Sequence, residues 1–286
     1  MFKSHLSTII QGKDLNENQM VEVMEEIFSG RATDAMIGAL MGALATKGET
    51  FEELAGAARV MRNVARRIEV STTPVVDTCG TGGDGANTFN ISTTTAFVVA
   101  GCDVTVAKHG NRSVSSKCGS ADVLEALGIK LDVDPEIVEE AIATVGIGFL
   151  FAPLYHSAMK YAVKARQEVG VRSIFNMLGP LTNPAAATCQ LLGVFAPELT
   201  EMFAHALKLL GGKSALVVHG HDGLDEISIC APTRVSELKQ GTIRTYDIYP
   251  EHYFGQYADP DSLKGGTVDE NVVITRKILN GEKGAP

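Results

Sequence analysis

The sequence predicts an α/β protein in which a small all-helical domain precedes a larger α/β domain with a mostly parallel central sheet. Two observations support this class. Helix patterns without an intervening strand occupy the N-terminal segment, and short β-branched segments then alternate with helical ones. The 286 residues are 45% hydrophobic, enough for a substantial core. We place the helical domain at 1–70, with a returning helical segment near 160–190, and the α/β domain at 72–286.

Three N-terminal segments have the apolar period of amphipathic helices. Their predicted buried faces are Met20, Val23, Met24 and Ile27, then Met36, Leu40 and Leu44, then Leu54, Ala57, Met61 and Val64. Gly30 and Gly48 are expected to end the first two helices. Thr33 can cap the second helix, and Thr50 with Glu53 forms a capping box at the start of the third.

The α/β domain is predicted from strand and helix patterns that follow one another. Four segments are predicted strands: PVVDTC, DVTVAKHG, IGFLFAP and SALVVHG. Helical patterns separate them: STTTAFVVAG, SADVLEALG, DPEIVEEAIATVG and APELTEMFAHALKLLGG. Such alternation is typical of parallel sheets, whereas EISICAPTRVSELKQGTIRTYDIYP has the alternation and turns of antiparallel strands.

The composition argues against several classes of protein. A net charge of −9 disfavours a general nucleic-acid or anionic-membrane surface, so an anionic ligand needs a local site. The five cysteines are scattered without a C-x-x-C pair, which argues against a disulfide framework or a zinc site. The N-terminus lacks the apolar core of a signal peptide, and no apolar run is long enough to span a bilayer. We therefore expect a cytoplasmic protein.

A glycine-rich loop joins the first predicted strand to the next helix, with Gly80, Gly82, Gly83 and Gly85 in six positions. Such a loop lets backbone N–H groups converge on one ligand, and the helix N-terminus adds partial positive charge. The hydroxyl donors and candidate caps that follow are Thr81, Asn90, Ser92, Thr93 and Thr94. The loop fits a phosphate or pyrophosphate; a purely structural turn is the alternative, since neither the Walker A nor the Rossmann pattern is present. Asp84 suits a metal or a sugar better than direct phosphate contact.

A second polar segment also leaves a strand and enters a helix, for which Ser120 is the expected cap. Its candidate ligand groups are Lys108, His109, Asn111, Arg112, Ser116 and Lys117. A solvated basic loop is the alternative. Because parallel strands end at a common edge, both loops together favour a multiply phosphorylated ligand.

A third segment, HGHDGLDEIS, places two adjacent carboxylates, Asp225 and Glu226, after a predicted strand. Carboxylates combined with substrate phosphates are typical Mg²⁺ ligands. A solvated acidic turn is the alternative. His219 and His221 suggest a transition metal only weakly, because the spacing of a zinc motif is absent.

Four segments together resemble the signature segments of the anthranilate phosphoribosyltransferase family: GTGGDGANTFNIST, KHGNRSVSSKCGSADVLEALG, RSIFNMLGPLTNPA and HGHDGLDEIS. The resemblance implies a nucleoside phosphorylase-like fold, a homodimer formed through the helical domain, and possible association with an anthranilate synthase component. It implies transfer of the 5-phosphoribosyl group from phosphoribosyl pyrophosphate to anthranilate, with Mg²⁺, in tryptophan biosynthesis. The family also continues with further helices beyond NGEKGA.

The resemblance assigns site residues but no catalytic acid or base. The residues implied for phosphoribosyl pyrophosphate are Gly80, Thr81, Gly82, Gly83, Asp84, Thr88, Asn90, Ser92, Thr93, Lys108 and Ser120. Those implied for anthranilate are Gly80, His109, Asn111, Pro153, His156, Arg166 and Gly179, and those implied for Mg²⁺ are Ser92, Asp225 and Glu226. A pyrimidine nucleoside phosphorylase is the nearest alternative function, and an inactive phosphoribosyl-ligand binder is a second.

Overall fold

The computed structural model of the chain describes residues 1–113 and 118–284. The helices of these ranges are α1 Phe2–Ile10, α2 Glu17–Phe28, α3 Asp34–Lys47, α4 Phe51–Val64, α5 Ile91–Ala100, α6 Ser120–Ala126, α7 Pro135–Val145, α8 Ala152–Tyr155, α9 Lys160–Val169, α10 Ile174–Leu178, α11 Leu199–Leu209, α12 Glu251–Phe254 and α13 Val268–Leu279. The strands are β1 Val75–Gly80, β2 Thr105–Gly110, β3 Ile147–Phe151, β4 Cys189–Gly193, β5 Ser214–Gly220, β6 Thr233–Lys239 and β7 Thr242–Ile248. Short 3₁₀ turns occupy Ser157–Met159, Gly179–Leu181 and Pro260–Leu263.

The N-terminal helices form as the apolar period predicts, with one addition and one correction. The addition is α1, for which no helix was expected. The predicted Thr33 cap is confirmed because its hydroxyl accepts the Met36 N–H at 3.3 Å, and the Thr50–Glu53 capping box of α4 is also confirmed. The expected burial of Val64 is wrong. Its side chain is 45% exposed because it ends α4, where Ala65 already has extended backbone angles.

The strands form one sheet in the order β3-β2-β1-β4-β5-β6-β7. β1 to β5 are mutually parallel, and β6 and β7 complete the sheet in antiparallel orientation. The predicted fold class is therefore confirmed. No sequence pattern predicts β4, since a five-residue segment such as CQLLG, with a polar Gln190 inside it, is too short to distinguish a strand from part of a buried helix. β4 matters for the site because it lies between β1 and β5.

The returning helices α9 and α10 pack against the N-terminal helices, α9 on α2 and α3 and α10 on α3 and α4. One hydrophobic core continues from these helices to the sheet and includes Met24, Ile174, Leu192 and Val217. A different group of helices, α5, α6, α7 and α13, surrounds β1 to β3, either directly or through one another. Within the two described ranges, no helix has both the length and the apolar character needed to cross a membrane.

Candidate active site

The glycine-rich loop begins where β1 and β4 end side by side, at Gly80 opposite Gly193. The Thr81 N–H donates to the Gly193 carbonyl at 2.9 Å, and the Thr81 hydroxyl accepts the Phe195 N–H at 3.1 Å. Gly82 has a φ of 67°, a region that favours glycine. The loop is therefore anchored at its start by one backbone and one side-chain hydrogen bond to the end of β4 and the connection that follows it.

The acidic segment after β5 lies directly against this loop. The Asp225 carboxylate accepts the Gly82 N–H at 2.8 Å. A Cβ at Gly80 would lie 2.8 Å from the same carboxylate, and one at Gly193 would overlap the Asp225 carbonyl. Glycine is required at both positions because the acidic segment approaches so closely. The fold thus brings together two segments that are 140 or more residues apart.

Three carboxylates are crowded at this point: Asp84, Asp225 and Glu226. Desolvation, followed by the charge of Asp84, raises the pKa of Asp225 to about 7. Desolvation, followed by the charge of Asp225, raises the pKa of Glu226 to about 8, and the Lys108 ammonium opposes this shift. A divalent cation would relieve the mutual repulsion, so this donor set fits Mg²⁺. Among the residues described, no three His, Cys, Asp or Glu side chains form a group that could hold a metal ion by themselves.

Lys108 and Ser92 lie near the Glu226 carboxylate. The buried Lys108 ammonium donates to the Thr78 carbonyl and, at 3.3 Å, to the Ser92 hydroxyl. Burial lowers the pKa of Lys108, while the nearby Asp77 charge opposes this effect. The Ser92 backbone N–H opposes the rise in the pKa of Glu226, which places Ser92 beside that carboxylate. Ser92, Asp225 and Glu226, the residues expected to bind a metal, therefore belong to one connected cluster.

Asn90 and Thr93 shape the start of α5. Asn90 occupies the N-cap position, but its side chain does not cap the helix backbone. Instead, its carboxamide oxygen accepts the Thr93 hydroxyl at 2.7 Å, and its nitrogen donates to the Cys118 carbonyl at 3.0 Å. Asn90 thereby connects the glycine-rich loop to the second loop. Thr88 forms an isolated antiparallel bridge with Lys264.

The second loop differs from the prediction in two respects. Gly119, not Ser120, is the N-cap of α6, and the Ser120 hydroxyl donates to the Asn111 carbonyl at 3.1 Å. Arg112 is not available as a free cation within the described residues, because it forms ion pairs with Asp122 and Glu125 on α6 at 3.1 and 2.8 Å. The predicted ligands Ser116 and Lys117 lie outside the described residues.

A pair of buried histidines occupies the other side of β2. His109 Nδ1 donates to the Gly179 carbonyl at 3.1 Å, so its Nε2 accepts from His156 Nε2 at 3.2 Å. Desolvation, then the neighbouring His156, lowers the pKa of His109 to about 3, and desolvation lowers that of His156 to about 4. Both rings are neutral at pH 7. The exposed Pro153 lies on the short helix α8 that precedes His156.

Comparison with known proteins places this geometry in a family. The model described as "Glycosyl transferase family, helical bundle domain" matches residues 3–65, and "Glycosyl transferase family, a/b domain" matches 72–286. The anthranilate phosphoribosyltransferase of Desulfosudis oleivorans is 68% identical over 286 residues, which are 100% of this chain and 84% of that protein. The enzyme of Syntrophobacter fumaroxidans is 68% identical over 284 residues, with 99% and 84% covered. The chain belongs to the anthranilate phosphoribosyltransferase family.

Solved anthranilate phosphoribosyltransferases share the fold described above. The Thermus thermophilus structure superposes with a TM-score of 0.92 at 44% identity, covering 98% of this chain and 84% of that one. The Saccharomyces cerevisiae structure in complex with PRPP and Mg has a TM-score of 0.89 at 26% identity, covering 99% and 82%. A complex of the yeast protein with 4-fluoroanthranilate has a TM-score of 0.87 at 25% identity, again covering 99% and 82%.

Two arginines of this anthranilate phosphoribosyltransferase family member differ from what the sequence predicts. Arg166, expected on the anthranilate side, is half-buried on α9 and lies 5.9 Å above the Phe175 ring. It forms no hydrogen bond with another residue of the predicted anthranilate set within the described ranges. Arg172 begins the segment RSIFNMLGPLTNPA but belongs to none of the predicted site sets. It donates to the Gly83 carbonyl at 3.0 Å and stacks on Phe195 at 3.7 Å. Its place at the start of that segment is the signal that could have identified it.

Asp77 is a second residue that the motifs do not identify. The paired register of β1 and β2 ends at Val76 opposite Val106. Beyond it, the fully buried Asp77 carboxylate accepts the His109 N–H at 3.0 Å. The Asp77 carboxylate therefore accepts the N–H that a backbone carbonyl of β1 would otherwise accept. It holds the end of β2, where the side chains of Lys108 and His109 point to opposite faces of the sheet. A charged residue inside the otherwise apolar segment VVDTC is the signal that could have revealed it.

Proposed function

We propose that this chain transfers the 5-phosphoribosyl group from phosphoribosyl pyrophosphate to the amine of anthranilate, giving N-(5-phosphoribosyl)anthranilate and pyrophosphate. The reaction requires Mg²⁺ and belongs to tryptophan biosynthesis. The observation that carries the proposal is the meeting of three elements at one edge of the sheet in a chain of this family. These elements are the glycine-rich loop, Lys108 and the Asp225–Glu226 pair.

The pyrophosphate side of the site supplies electrostatic stabilisation. As the bond from ribose C1 to pyrophosphate breaks, positive charge develops on the ring and negative charge on the leaving group. Mg²⁺ bound by Ser92, Asp225 and Glu226 would neutralise part of that negative charge. Lys108 and the backbone N–H groups around Gly83 face the same group in our proposal. Since Lys108 is already held by Thr78 and Ser92, little reorganisation is needed during the reaction.

The anthranilate side supplies position more than proton transfer. Arg166 is proposed to bind the carboxylate of anthranilate, because its planar guanidinium can contact both oxygens. The depressed pKa values of His109 and His156 keep both rings neutral, so they orient anthranilate instead of donating a proton from a charged ring. The aromatic amine is already nucleophilic, and correct placement against C1 provides the remaining acceleration.

The organisation of the molecule belongs to the same proposal. We retain 1–70 with the returning segment near 160–190 as a helical domain and 72–286 as the α/β domain. The packing of α9 on α2 and α3 supports this division. A homodimer through the helical domain is supported by the exposed apolar side chains of Ile10, Tyr161 and Val163. Cytoplasmic localisation and association with an anthranilate synthase component rest on the family resemblance.

A turnover assay tests the proposal on this 286-residue chain. Anthranilate fluorescence should fall when protein, phosphoribosyl pyrophosphate and Mg²⁺ are combined, and the loss should stop with EDTA. Constant fluorescence together with phosphorolysis of uridine or thymidine would contradict the assignment. Calorimetric binding of phosphoribosyl pyrophosphate without any turnover would instead indicate a binding protein.

A further inference from the structure

Asn271 is a buried polar residue of α13 that lies outside every predicted site segment. It is 1% exposed. Its carboxamide oxygen accepts the Asn90 N–H at 2.9 Å, and its nitrogen donates to the carbonyls of Thr267 at 2.9 Å and Gly266 at 3.2 Å. These partners define which end of the amide is oxygen. Rotation of the side chain would leave buried polar groups without partners, so the amide is held in one orientation.

The group that Asn271 binds is a junction of the proposed site. The Asn90 side chain accepts the Thr93 hydroxyl of α5 and donates to the Cys118 carbonyl of the second loop, so it joins these two segments. The Asn90 carbonyl accepts both the N–H and the hydroxyl of Thr94, each at 3.0 Å. The backbone N–H of Asn90 is left for Asn271. Any movement of Asn90 is therefore transmitted to both loops.

The chain before Asn271 follows the exit of the glycine-rich loop. The Phe89 N–H donates to the Leu263 carbonyl and the Gly265 N–H to the Asn87 carbonyl, both at 2.9 Å. A side chain at Gly265 would clash with the Thr88 carbonyl, so the two segments are in close contact. Residues 87–90 are thus paired along 263–265, and Asn271 makes the last of these contacts.

We propose that Asn271 is a positioning residue for the phosphoribosyl pyrophosphate site and acts through the Asn90 N–H. The inference rests on the proposed function, in which Asn90, Ser92 and Thr93 contact the diphosphate or its metal. Without the carboxamide, the Asn90 N–H loses its acceptor and the first turn of α5 becomes less ordered. Binding of the diphosphate must then restore that order, which weakens the apparent affinity for phosphoribosyl pyrophosphate. On the anthranilate side, His109 and Gly179 are hydrogen-bonded to each other and make no hydrogen bond to Asn271 or Asn90 within the described ranges.

The test compares truncations of Asn271 with a control on the same helix. Asn271→Ala removes the acceptor, and Asn271→Asp keeps an oxygen acceptor for Asn90 but loses both donors. Ile274→Ala is the control because Ile274 packs against the Phe89–Leu224–Leu263 cluster and makes no hydrogen bond to Asn90 through its side chain. Asn271→Ser replaces the alanine variant if that protein does not fold. Its hydroxyl can bind the Thr267 carbonyl but is too short to reach Asn90.

We expect Asn271→Ala to raise KM for phosphoribosyl pyrophosphate about tenfold and to change KM for anthranilate less than about twofold. The Asn90 amide should exchange with deuterium about tenfold faster in this variant, and Asn271→Asp should keep it protected. Ile274→Ala should lower Tm without either effect. An unchanged KM for phosphoribosyl pyrophosphate, or an equal rise in Ile274→Ala, would overturn the proposal.

The amide-exchange measurement needs no substrate, so it separates two kinds of failure. Absence of turnover in the unaltered chain refutes the proposed function. Unchanged protection of Asn90 in Asn271→Ala refutes the role of Asn271, whatever the reaction is.

Discussion

The two sides of the site differ in charge although both begin at neighbouring residues of β2. Lys108 points to α5 and the carboxylates, where an ammonium and three acids lie close together. His109 points to Gly179 and His156, where two neutral rings are hydrogen-bonded to each other. Successive side chains of a strand face opposite ways, so one strand end separates the two environments. A charged leaving group and an aromatic nucleophile can thus be held apart with little extra structure.

The largest effect is expected from removing the carboxylates on the charged side of the site. Asp225→Asn combined with Glu226→Gln should lower Mg²⁺-dependent kcat about 100- to 1000-fold, because the pair supplies the proposed metal ligands. Circular dichroism should show an intact fold. The control Asp132→Asn with Glu140→Gln makes the same two substitutions at exposed positions and should retain activity. Unchanged Mg²⁺ dependence in the first double variant would refute the metal assignment.

The next expected effect concerns the anthranilate side. Arg166→Ala should raise KM for anthranilate about tenfold or more, since a bidentate carboxylate contact is lost. KM for phosphoribosyl pyrophosphate should change less than about twofold. Initial rates with each substrate varied in turn would measure both constants. An effect confined to the phosphoribosyl donor would contradict the proposed role of Arg166.

Arg172→Ala provides the matched comparison, because Arg172 contacts the glycine-rich loop on the phosphoribosyl pyrophosphate side of the site. Loss of its hydrogen bond to the Gly83 carbonyl should raise KM for phosphoribosyl pyrophosphate about threefold. KM for anthranilate should stay near its original value. Arg172→Lys should not restore the donor KM fully, because an ammonium cannot both stack on Phe195 and reach Gly83 as a guanidinium does. A rise only in KM for anthranilate would show that Arg172 belongs to the other side.

The smallest effect is a dependence of stability on pH. The pKa values of Asp225 and Glu226 rise from 3.8 and 4.5 to about 7 and about 8 in the folded chain. Between these limits the unfolded chain releases protons that the folded chain keeps, so the free energy of unfolding falls as pH rises. In EDTA, Tm should drop from about pH 7 to about pH 8.5, a range above that in which the buried His109 and His156 add an opposite slope. The Asp225→Asn, Glu226→Gln variant should lose most of this slope, and a wild-type Tm that rises over the same range would contradict the shifts.

Much of the architecture was accessible from local patterns. The apolar faces of α2 and α4 and the Thr50–Glu53 capping box depend on residues within a few turns of one another. The same is true of the glycine-rich loop between β1 and α5. Val64 shows the limit of such patterns, because the apolar period continues to a position where the helix has already ended. β4 shows another limit, since its five residues, CQLLG, carry too little periodicity to identify a strand.

The contacts that complete the site join residues far apart in the chain. The Asp77 carboxylate accepts the His109 N–H, and the Arg172 guanidinium donates to the Gly83 carbonyl. The Asn271 carboxamide accepts the N–H of Asn90, which is 181 positions away in the sequence. For none of these residues does the sequence indicate which distant group the side chain will contact. Arg112 illustrates the reverse case: its charge suggested an anion ligand, but α6 presents Asp122 and Glu125 to it.

By itself, the sequence determined the helix periods, the caps, the strand–loop–helix segments and the residue types suited to phosphate and Mg²⁺. These features follow from the preferences of a residue and its near neighbours. Only the tertiary structure decided that β4 lies between β1 and β5, which brings Asp225 against Gly80 and Gly193. It also decided that buried Asp77 binds the backbone at the end of β2 and that buried Asn271 binds the backbone at the start of α5. Sheet order and long-range packing govern such contacts, and no local preference specifies them.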